Sequence, residues 1–265
     1  MNQFDMFKNS QGTTKKVREN DKILGINVNS TTTPSVLAGV EDRISCSNKF
    51  YIVTPNPELI LASQTNENLK KALNSADISV PDGVGLKIAD PSLNIIKGRE
   101  LFLELIKLSD KKSWKVFLLG GLDDEGVLAA KKISADYPKL LIMVDKGPKL
   151  GKSAKPITDS EKKIESEVTN KINKFAPQLL FVAFGNPKQE IWIHENLSKL
   201  NIGGAMTVGG TFRYIAGTSK LPPKWMAEIG LEWFWRLITE PARFGRVFRA
   251  VIVYPIKYFF YKISH

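Results

Sequence analysis

Cysteine and histidine are scarce in this 265-residue sequence, which contains one cysteine and two histidines. The single cysteine, Cys46, excludes a disulfide within the chain and fits a reducing compartment. His194 and His265 have no cysteine cluster beside them, so the pattern of a zinc centre is missing. The G-x-S-x-G elbow that would support a Ser–His–Asp triad is missing as well. Zinc enzymes and serine hydrolases are therefore disfavoured.

Long hydrophobic runs are also missing. Residues 1–20 are polar, contain no apolar run that would suit a signal peptide, and are predicted to form a flexible N-terminal arm. In the last 46 residues the longest uncharged run, Ala250–Ile256, has seven residues. A spanning helix needs about 20 apolar residues, so the sequence predicts no transmembrane segment.

Positive charge is in excess, with a net charge of +11. This excess indicates an anionic partner: nucleic acid, anionic lipid or a phosphorylated substrate. Residues 220–265 hold eight Lys or Arg against three Asp or Glu, together with eleven aromatic residues. The segment is therefore the most basic and aromatic part of the chain.

The spacing of the basic residues in 220–265 favours a membrane surface. Arg243, Arg246 and Arg249 recur at every third position with aromatic residues between them, a pattern typical of a helix lying in a membrane interface. One alternative is a helix packed on the core with its arginine stems along apolar surface. Another is a single-stranded nucleic acid site, but no motif supports it and no nucleic-acid partner is predicted. We predict that residues 220–265 form a C-terminal membrane-associating appendage.

Short apolar, β-rich runs alternate with amphipathic stretches in residues 21–219. Such alternation predicts an α/β core with a Rossmann-like, mostly parallel sheet covered by helices, to which the basic aromatic helical appendage is added. The predicted strands are 22–28, 50–54, 77–80, 115–120, 140–144, 179–185 and 204–210. The predicted helices are 57–73, 98–109, 124–135, 158–175 and 187–199.

Polar residues follow several of the predicted strands. Ligands of open parallel sheets bind outside the carboxyl ends of the strands, so these residues are expected to share one pocket edge. They are Thr54, Asn56, Asp82, Asn186, Gln189, Gly209 and Gly210.

Asp82 stands between Pro81 and Gly83 at the end of a predicted strand. Pro-Asp-Gly is a common turn, and taken alone that interpretation would be preferred. The position at the ligand edge, with Thr54 and Asn56 nearby, favours a functional carboxylate. A carboxylate in a cleft can act as a general base, a role typically worth about 10²–10⁴-fold in rate.

The segment "FGNPKQEIWI" (184–193) brings Asn186, Lys188, Gln189 and Glu190 to a predicted helix N-terminus. A loop followed by a helix with an early proline is the purely structural interpretation. The functional one is a polar cluster suited to a sugar or a diphosphate.

Two glycine-rich segments imitate nucleotide-binding loops without matching them. "LGGLDDEG" (119–126) lacks the G-x-G-x-x-G spacing and places acidic residues where a pyrophosphate would need bare amides. "GPKLGKS" (147–153) is one residue too short for a Walker A loop. Both are interpreted as ordinary loops, and no cofactor is predicted.

Six motifs occur in an order that resembles the WecG/TagA/CpsF glycosyltransferase family, over about Ile23 to Arg249. The motifs are "TPNPEL" (54–59), "PDGVGL" (81–86), "GNPKQEIWI" (185–193), "VGGTFRYIAG" (208–217), "PKWM" (223–226) and "GLEWFWRL..EPAR" (230–243). The resemblance implies an inverting, metal-independent enzyme that moves N-acetylmannosamine or its uronic acid from a UDP donor. The implied acceptor is a polyprenyl-diphosphate-linked sugar at the cytoplasmic face of the bacterial cell membrane. Its product would feed teichoic acid or another surface polysaccharide. The lack of an Asp-x-Asp pair agrees with a reaction that needs no metal.

The resemblance also implies roles for particular residues. Asp82 would be the catalytic base, with Thr54 as a second catalytic residue. The implied substrate-binding residues are Asn56, Gly83, Arg99, Asn186, Lys188, Gln189, Glu190, Gly209, Gly210, Arg236, Arg243 and Arg246.

The chain departs from the family's motifs at three positions. Arg213 stands where the family has aspartate, and Leu221 and Ile95 stand where it has arginine. Arg99 or Arg213 would then supply charge to the pocket.

Two other functions stay open on the residues alone. A non-catalytic membrane- or polyanion-binding protein on the same fold is one, and an NAD-dependent oxidoreductase, disfavoured by the missing glycine fingerprint, is the other. The sequence leaves the oligomeric state open, a homo-oligomer included.

Overall fold

A computed structural model describes residues 22–223, 225–226, 231–239 and 244–264. The predicted arm, residues 1–20, lies outside the described residues, and so does Arg243. Arg236 is described in its backbone only.

A parallel sheet forms the centre of the described chain, as predicted. Six strands lie in the order β4-β3-β8-β7-β5-β6, and each neighbouring pair is parallel. The strands are β3 (Phe50–Val53), β4 (Ile78–Ser79), β5 (Val116–Gly120), β6 (Ile142–Asp145), β7 (Leu179–Ala183) and β8 (Gly204–Thr207).

Apolar side chains cover the sheet on both faces. Successive strand residues point to opposite faces, and in β3 Tyr51 and Val53 join one core cluster whereas Phe50 and Ile52 join the other. This explains why the central strands read as continuous apolar runs.

The predicted strand 22–28 is wrong as a member of this sheet. It folds instead into an antiparallel hairpin of β1 (Lys22–Ile23) and β2 (Ile26–Asn27). The two residues between the strands, Leu24 and Gly25, have φ of 49° and 75°. Glycine favours a two-residue hairpin turn with positive φ at both positions. Gly25 therefore turns the chain back and divides the predicted strand 22–28 into two.

Helices connect the strands and cover the sheet. The predicted helix 57–73 is two helices, because Asn66 caps the second one through its Oδ1, which accepts from Leu69 N–H at 3.0 Å. The helices of the core are α1 (Thr33–Ser45), α2 (Pro57–Ser63), α3 (Glu67–Asn74), α4 (Gly98–Lys111), α5 (Glu125–Asp136), α6 (Asp159–Phe175), α7 (Lys188–Asn196) and α8 (Thr211–Ala216). Two 3₁₀-helices are Val84–Ile88 and Leu197–Lys199.

The C-terminal segment is helical and packs against the core. Its described helices are α9 (Glu232–Thr239), α10 (Phe244–Phe248) and α11 (Tyr254–Ser264), and a π-helical turn, Arg249–Val253, joins the last two. Tyr254 is completely buried, and the Tyr258 hydroxyl donates to the Ala89 carbonyl at 3.0 Å. Among the described residues, none of the helices has the length and apolar character needed to span a bilayer.

The contact between β3 and β8 leads to a stability prediction. A Cβ on Gly204 would overlap the ring of Phe50, which is completely buried and cannot move aside. We expect Gly204→Ala to lower the free energy of unfolding by about 1–3 kcal/mol through overpacking, measured by urea denaturation.

Gly39 provides the control, because a Cβ there meets no atom within 4 Å and the residue lies inside α1. Gly39→Ala should raise the free energy of unfolding by roughly 0.5–1 kcal/mol. Equal effects at the two positions would contradict the packing of Phe50 against Gly204.

Candidate active site

The carboxyl ends of four neighbouring strands bring most of the predicted site residues to one edge of the sheet. In the order β4, β3, β8, β7, these ends lead to Asp82, to Thr54 and Asn56, to Gly209 and to Asn186. The edge therefore matches the location at which open parallel sheets bind ligands.

Asp82 and Thr54 face the same point at the start of α4. An ideal Cβ placed on Gly98 would lie 3.3 Å from Thr54 Oγ1 and 3.4 Å from Asp82 Oδ2. Both residues are half-buried, and Gly98 is buried. The carboxylate thus lies at the N-terminus of a 14-residue helix, whose positive dipole end favours a negative charge.

Hydrogen bonds between loops hold Asp82 in place. The Asp82 N–H donates to the Pro55 carbonyl at 2.9 Å, and Ile96 N–H donates to the Pro81 carbonyl at 3.0 Å. The first bond extends the pairing of β3 and β4 beyond the strand ends, and the second joins the Asp82 turn to the segment before α4. They fix the backbone on both sides of the carboxylate.

Asn56 and Gly83 form the adjoining wall. The Asn56 Oδ1 accepts from Leu59 N–H at 2.9 Å and so caps α2. Gly83 has φ of 94°, and a Cβ there would lie 3.6 Å from Pro57 Cδ and 3.9 Å from Asn56 Cβ. The turn after Asp82 is therefore seated directly against the start of α2.

Gln189 links three of the other predicted residues. Its Nε2 donates to Asn186 Oδ1 and to Glu190 Oε1, each at 2.8 Å, and its Oε1 accepts from Gly209 N–H at 3.1 Å. Gln189 is itself buried, with 3% of its surface exposed. This network joins the loop after β7 to the loop after β8. Gly210 is exposed at the start of α8.

Glu190 is a buried acid with incomplete hydrogen bonding. Only 1% of its surface is exposed, and its Oε2 has no hydrogen-bond partner in the described part of the chain. Burial raises the pKa of Glu190 to about 7, and the charge of Glu58 adds to the rise, against the hydrogen bond from Gln189. The side chain is therefore partly protonated near neutral pH.

Two basic residues of the predicted site contact other parts of the core. The Lys188 ammonium donates to the Leu150 carbonyl at 3.4 Å, so it reaches the loop over 147–156. The Arg99 guanidinium lies 5.6 Å from the centre of the Tyr214 ring, and Arg213 lies 5.2 Å from the same ring. Arg99 and Arg213 thus place two positive charges beside α8.

The C-terminal helices contact the core close to these groups. The Lys97 ammonium, next to Gly98, lies 2.6 Å from Glu232 Oε1 of α9. Arg246 of α10 lies with its Nε 3.6 Å from Glu58 Oε1 in α2. Among the predicted arginines, Arg246 thus forms an ion pair with a glutamate of the core. Arg243 and the side chain of Arg236 lie outside the described residues.

Sequence reasoning missed Gly98, Lys97 and Glu232. Gly98 could have been found from its position, since a glycine that starts a helix beside a strand end allows close approach. The ion pair of Lys97 and Glu232 spans 135 positions and leaves no local signal.

Two of the residues that depart from the family's motifs, Ile95 and Leu221, differ in their exposure to solvent. Ile95 packs against the core, and Leu221 is exposed.

Within the described chain, no group of three or more His, Cys, Asp or Glu is placed to hold a metal ion.

Comparison with known proteins agrees with the resemblance seen in the motifs. The model of the family described as "Glycosyl transferase WecG/TagA/CpsF family" matches residues 21–265. An N-acetylglucosaminyldiphosphoundecaprenol N-acetyl-beta-D-mannosaminyltransferase of Bacillus spizizenii is 31% identical over 202 residues, which is 74% of each chain. A protein of the same name from Staphylococcus aureus is 30% identical over 251 residues, 91% of each chain. The chain therefore belongs to the WecG/TagA/CpsF family and is a glycosyltransferase.

Proposed function

We propose that the protein transfers N-acetylmannosamine, or its uronic acid, from a UDP donor to a polyprenyl-diphosphate-linked sugar, with inversion and without a metal. The product would enter teichoic acid or a related surface polysaccharide. The observation that carries the proposal is the convergence of Asp82 Oδ2 and Thr54 Oγ1 on one point at the start of α4. The names of the relatives support N-acetylmannosamine as the transferred sugar and a diphosphate-linked N-acetylglucosamine on a polyprenol as the acceptor.

Asp82 acts as the general base in this mechanism. Its carboxylate takes the proton of the acceptor hydroxyl, and the hydroxyl oxygen attacks the anomeric carbon of the donor. The bond from that carbon to the UDP oxygen breaks, and UDP leaves with the bonding electrons on the face opposite the attack. The loop hydrogen bonds of Asp82 and Pro81 hold the base in one position, which proximity catalysis requires.

Thr54 and Asn56 position the acceptor beside the base. The Thr54 hydroxyl faces the same point as the carboxylate and can donate to an acceptor or diphosphate oxygen. The Asn56 Oδ1 is used in capping α2. The Nδ2 of this side chain is therefore the atom that serves a substrate, as a hydrogen-bond donor.

The Gln189 network forms the donor side. Gln189 holds Asn186 and Gly209 together, and Gly210 leaves the start of α8 uncovered for a close approach of the donor. An ionised Glu190 would repel a diphosphate, whereas its protonated form does not. The raised pKa of Glu190 therefore suits a pocket for an anionic nucleotide sugar.

Arginines supply the charge for the departing diphosphate. Preorganised cations stabilise negative charge that develops in a transition state. Arg99 lies next to Gly98, at the N-terminus of α4, and Arg236, Arg243 and Arg246 belong to the appendage. The appendage, residues 220–265, thereby completes the pocket and associates peripherally with the inner face of the cell membrane.

The role of Asp82 leads to the first functional prediction. Asp82→Asn removes the base while keeping its size, so acceptor-dependent UDP release should fall by about 10²–10⁴-fold. Release is measured with UDP-N-acetylmannosamine and a short-chain lipid-diphosphate N-acetylglucosamine.

Asp90→Asn is the matched control, because Asp90 accepts from Ser92 in the same loop region and has no proposed role. Unchanged turnover in Asp82→Asn would contradict its assignment as the base. A wild type that binds vesicles but releases no UDP from any donor would favour the non-catalytic alternative.

Gly98 gives a second prediction. In Gly98→Ala the new methyl group would press on Thr54 Oγ1 and Asp82 Oδ2, at 3.3 and 3.4 Å. We expect kcat to fall by about 10²-fold, since small misplacements of catalytic groups cost rates of that order. The KM for the donor should stay within about twofold. A loss seen only in the donor KM would place Gly98 in the nucleotide pocket instead.

The third prediction concerns Glu190 and pH. Because the pKa of Glu190 in the folded protein is raised to about 7 from 4.5, the folded state binds the proton more tightly than the unfolded state. Stability is then lost as pH rises from about 4.5 to 7 and stays constant above that range.

Glu190→Gln removes this loss. The free energy of unfolding of Glu190→Gln, relative to that of wild type, should rise by up to about 3 kcal/mol from pH 4.5 to pH 8. Urea denaturation at both pH values measures this difference. Glu167→Gln, at an exposed position of α6, is the control. A constant difference between Glu190→Gln and wild type across this range would contradict the shifted pKa.

A further inference from the structure

Helix α11 is apolar on two opposite faces. Tyr254, Tyr258 and Tyr261 face the core, where Tyr254 is completely buried and the other two are half-buried. The opposite face carries Ile256, Phe259, Phe260 and Ile263, whose surfaces are 54%, 61%, 64% and 67% exposed. These four follow the i, i+3, i+4, i+7 spacing of one helix face. We call them the outer stripe.

A groove lies between the outer stripe and the loop that follows the proposed base. It has a volume of about 540 Å³ and is lined by Ile88, Pro255, Ile256, Tyr258, Phe259, Phe260 and Lys262. Ile88 is 53% exposed, and it is the last residue of the 3₁₀-helix that begins at Val84. The volume falls within the range of roughly 300–1,000 Å³ that is usual for small-molecule sites.

The groove lies at the far end of the short 3₁₀-helix that begins just after Asp82. The 3₁₀-helix follows the Asp82–Gly83 turn directly, and Leu86 N–H donates to the Gly83 carbonyl at 3.2 Å. With a rise of about 2.0 Å per residue, Ile88 lies on the order of 10 Å from Gly83. The bond from Tyr258 to Ala89 keeps α11 against the end of this helix.

Positive charge accompanies the apolar walls. Lys262 lines the groove and is exposed. Lys87 is exposed on the 3₁₀-helix itself. The groove thus combines an apolar floor with cations at its rim, which is complementary to a lipid chain that ends in a diphosphate.

We propose that this groove binds the isoprenoid units of the acceptor nearest the diphosphate and so directs the acceptor sugar to Asp82. The proposal rests on the proposed function, which supplies the lipid-diphosphate acceptor. It adds a site on this chain for the lipid itself. A bilayer surface is the competing occupant, but a bilayer would meet the stripe alone and needs no contact with Ile88.

Binding of farnesyl diphosphate tests the proposal without requiring turnover. Wild type should bind this probe, below its micelle concentration, at least about tenfold more tightly than inorganic diphosphate, measured by calorimetry. Ile88→Ser and Phe259→Ser should each weaken farnesyl diphosphate binding about tenfold, as expected for losing one buried apolar side chain. Both positions are exposed, so the fold should be unaffected.

Leu141→Ser is the matched control, since Leu141 is 60% exposed before β6, the strand at the opposite edge of the sheet. It should bind farnesyl diphosphate as wild type does. Equal affinity of wild type for farnesyl diphosphate and inorganic diphosphate would overturn the proposal. So would variants that lose binding to phosphatidylglycerol–phosphatidylcholine vesicles but keep wild-type affinity for farnesyl diphosphate.

The test separates the groove from the proposed reaction. Binding that depends on the lipid chain and on Ile88 supports the groove even if no UDP is released in any transfer assay. UDP release that is lost in Asp82→Asn, together with farnesyl diphosphate binding that is unaffected in Ile88→Ser, would support the reaction and overturn the groove.

Discussion

The backbone pairing of β3 with β4, continued by the bond from Asp82 N–H to the Pro55 carbonyl, is the constraint on which the site depends. The register pairs Val53 with Ser79, the last residues of the two strands, so both strands end at the same level. The residues after them, Thr54 and Asp82, are therefore neighbours regardless of their own side chains. Gly98 completes the arrangement, because a Cβ there would press on both side chains at 3.3 and 3.4 Å. A carboxylate, a hydroxyl and a helix N-terminus are thus held together by main-chain geometry.

The same edge is divided between two kinds of environment. Around Asp82 and Thr54 the side chains are half-buried and reach solvent, which suits the proposed role of Asp82 as a base. Around Gln189 and Glu190 they are almost completely buried, and the hydrogen bonds run between protein groups. Desolvation there favours the neutral form of Glu190 and raises its pKa to about 7. In the proposed mechanism the two acids serve different substrates, the acceptor at Asp82 and the nucleotide at Glu190.

How far the sequence leads to this picture depends on how local each signal is. The strand ends at Thr54 and Asp82 could be predicted because their signal is local: an apolar run is followed within a few residues by polar residues, proline or glycine. The hairpin at 22–28 could not, since Leu24 and Gly25 stand inside an apolar run and only their positive φ breaks it. Helix α1 and the 3₁₀-helix after Gly83 were not predicted at all, the former because its apolar pattern is weak and the latter because it is short. The contact of Gly98 with two strand ends, and the ion pair of Lys97 with Glu232, exist only in three dimensions.

At α10 and α11, packing holds the appendage on the core more strongly than the ion pair of Arg246 does. The pair of Arg246 and Glu58 is 3.6 Å long with the Arg246 side chain 58% exposed, and exposed pairs of this kind contribute about 0–1 kcal/mol. Burial of the Tyr254 ring, which is complete, contributes roughly 1.5–3 kcal/mol by the area it removes from water, offset in part by its buried hydroxyl, which has no hydrogen-bond partner among the described residues. The tyrosine face of α11 therefore contributes more to this attachment than the Arg246–Glu58 pair, whereas α9 is held by the closer ion pair of Lys97 and Glu232. That face also bonds the core directly, because the Tyr258 hydroxyl donates to the carbonyl of Ala89 at the end of the 3₁₀-helix that follows Asp82 and Gly83.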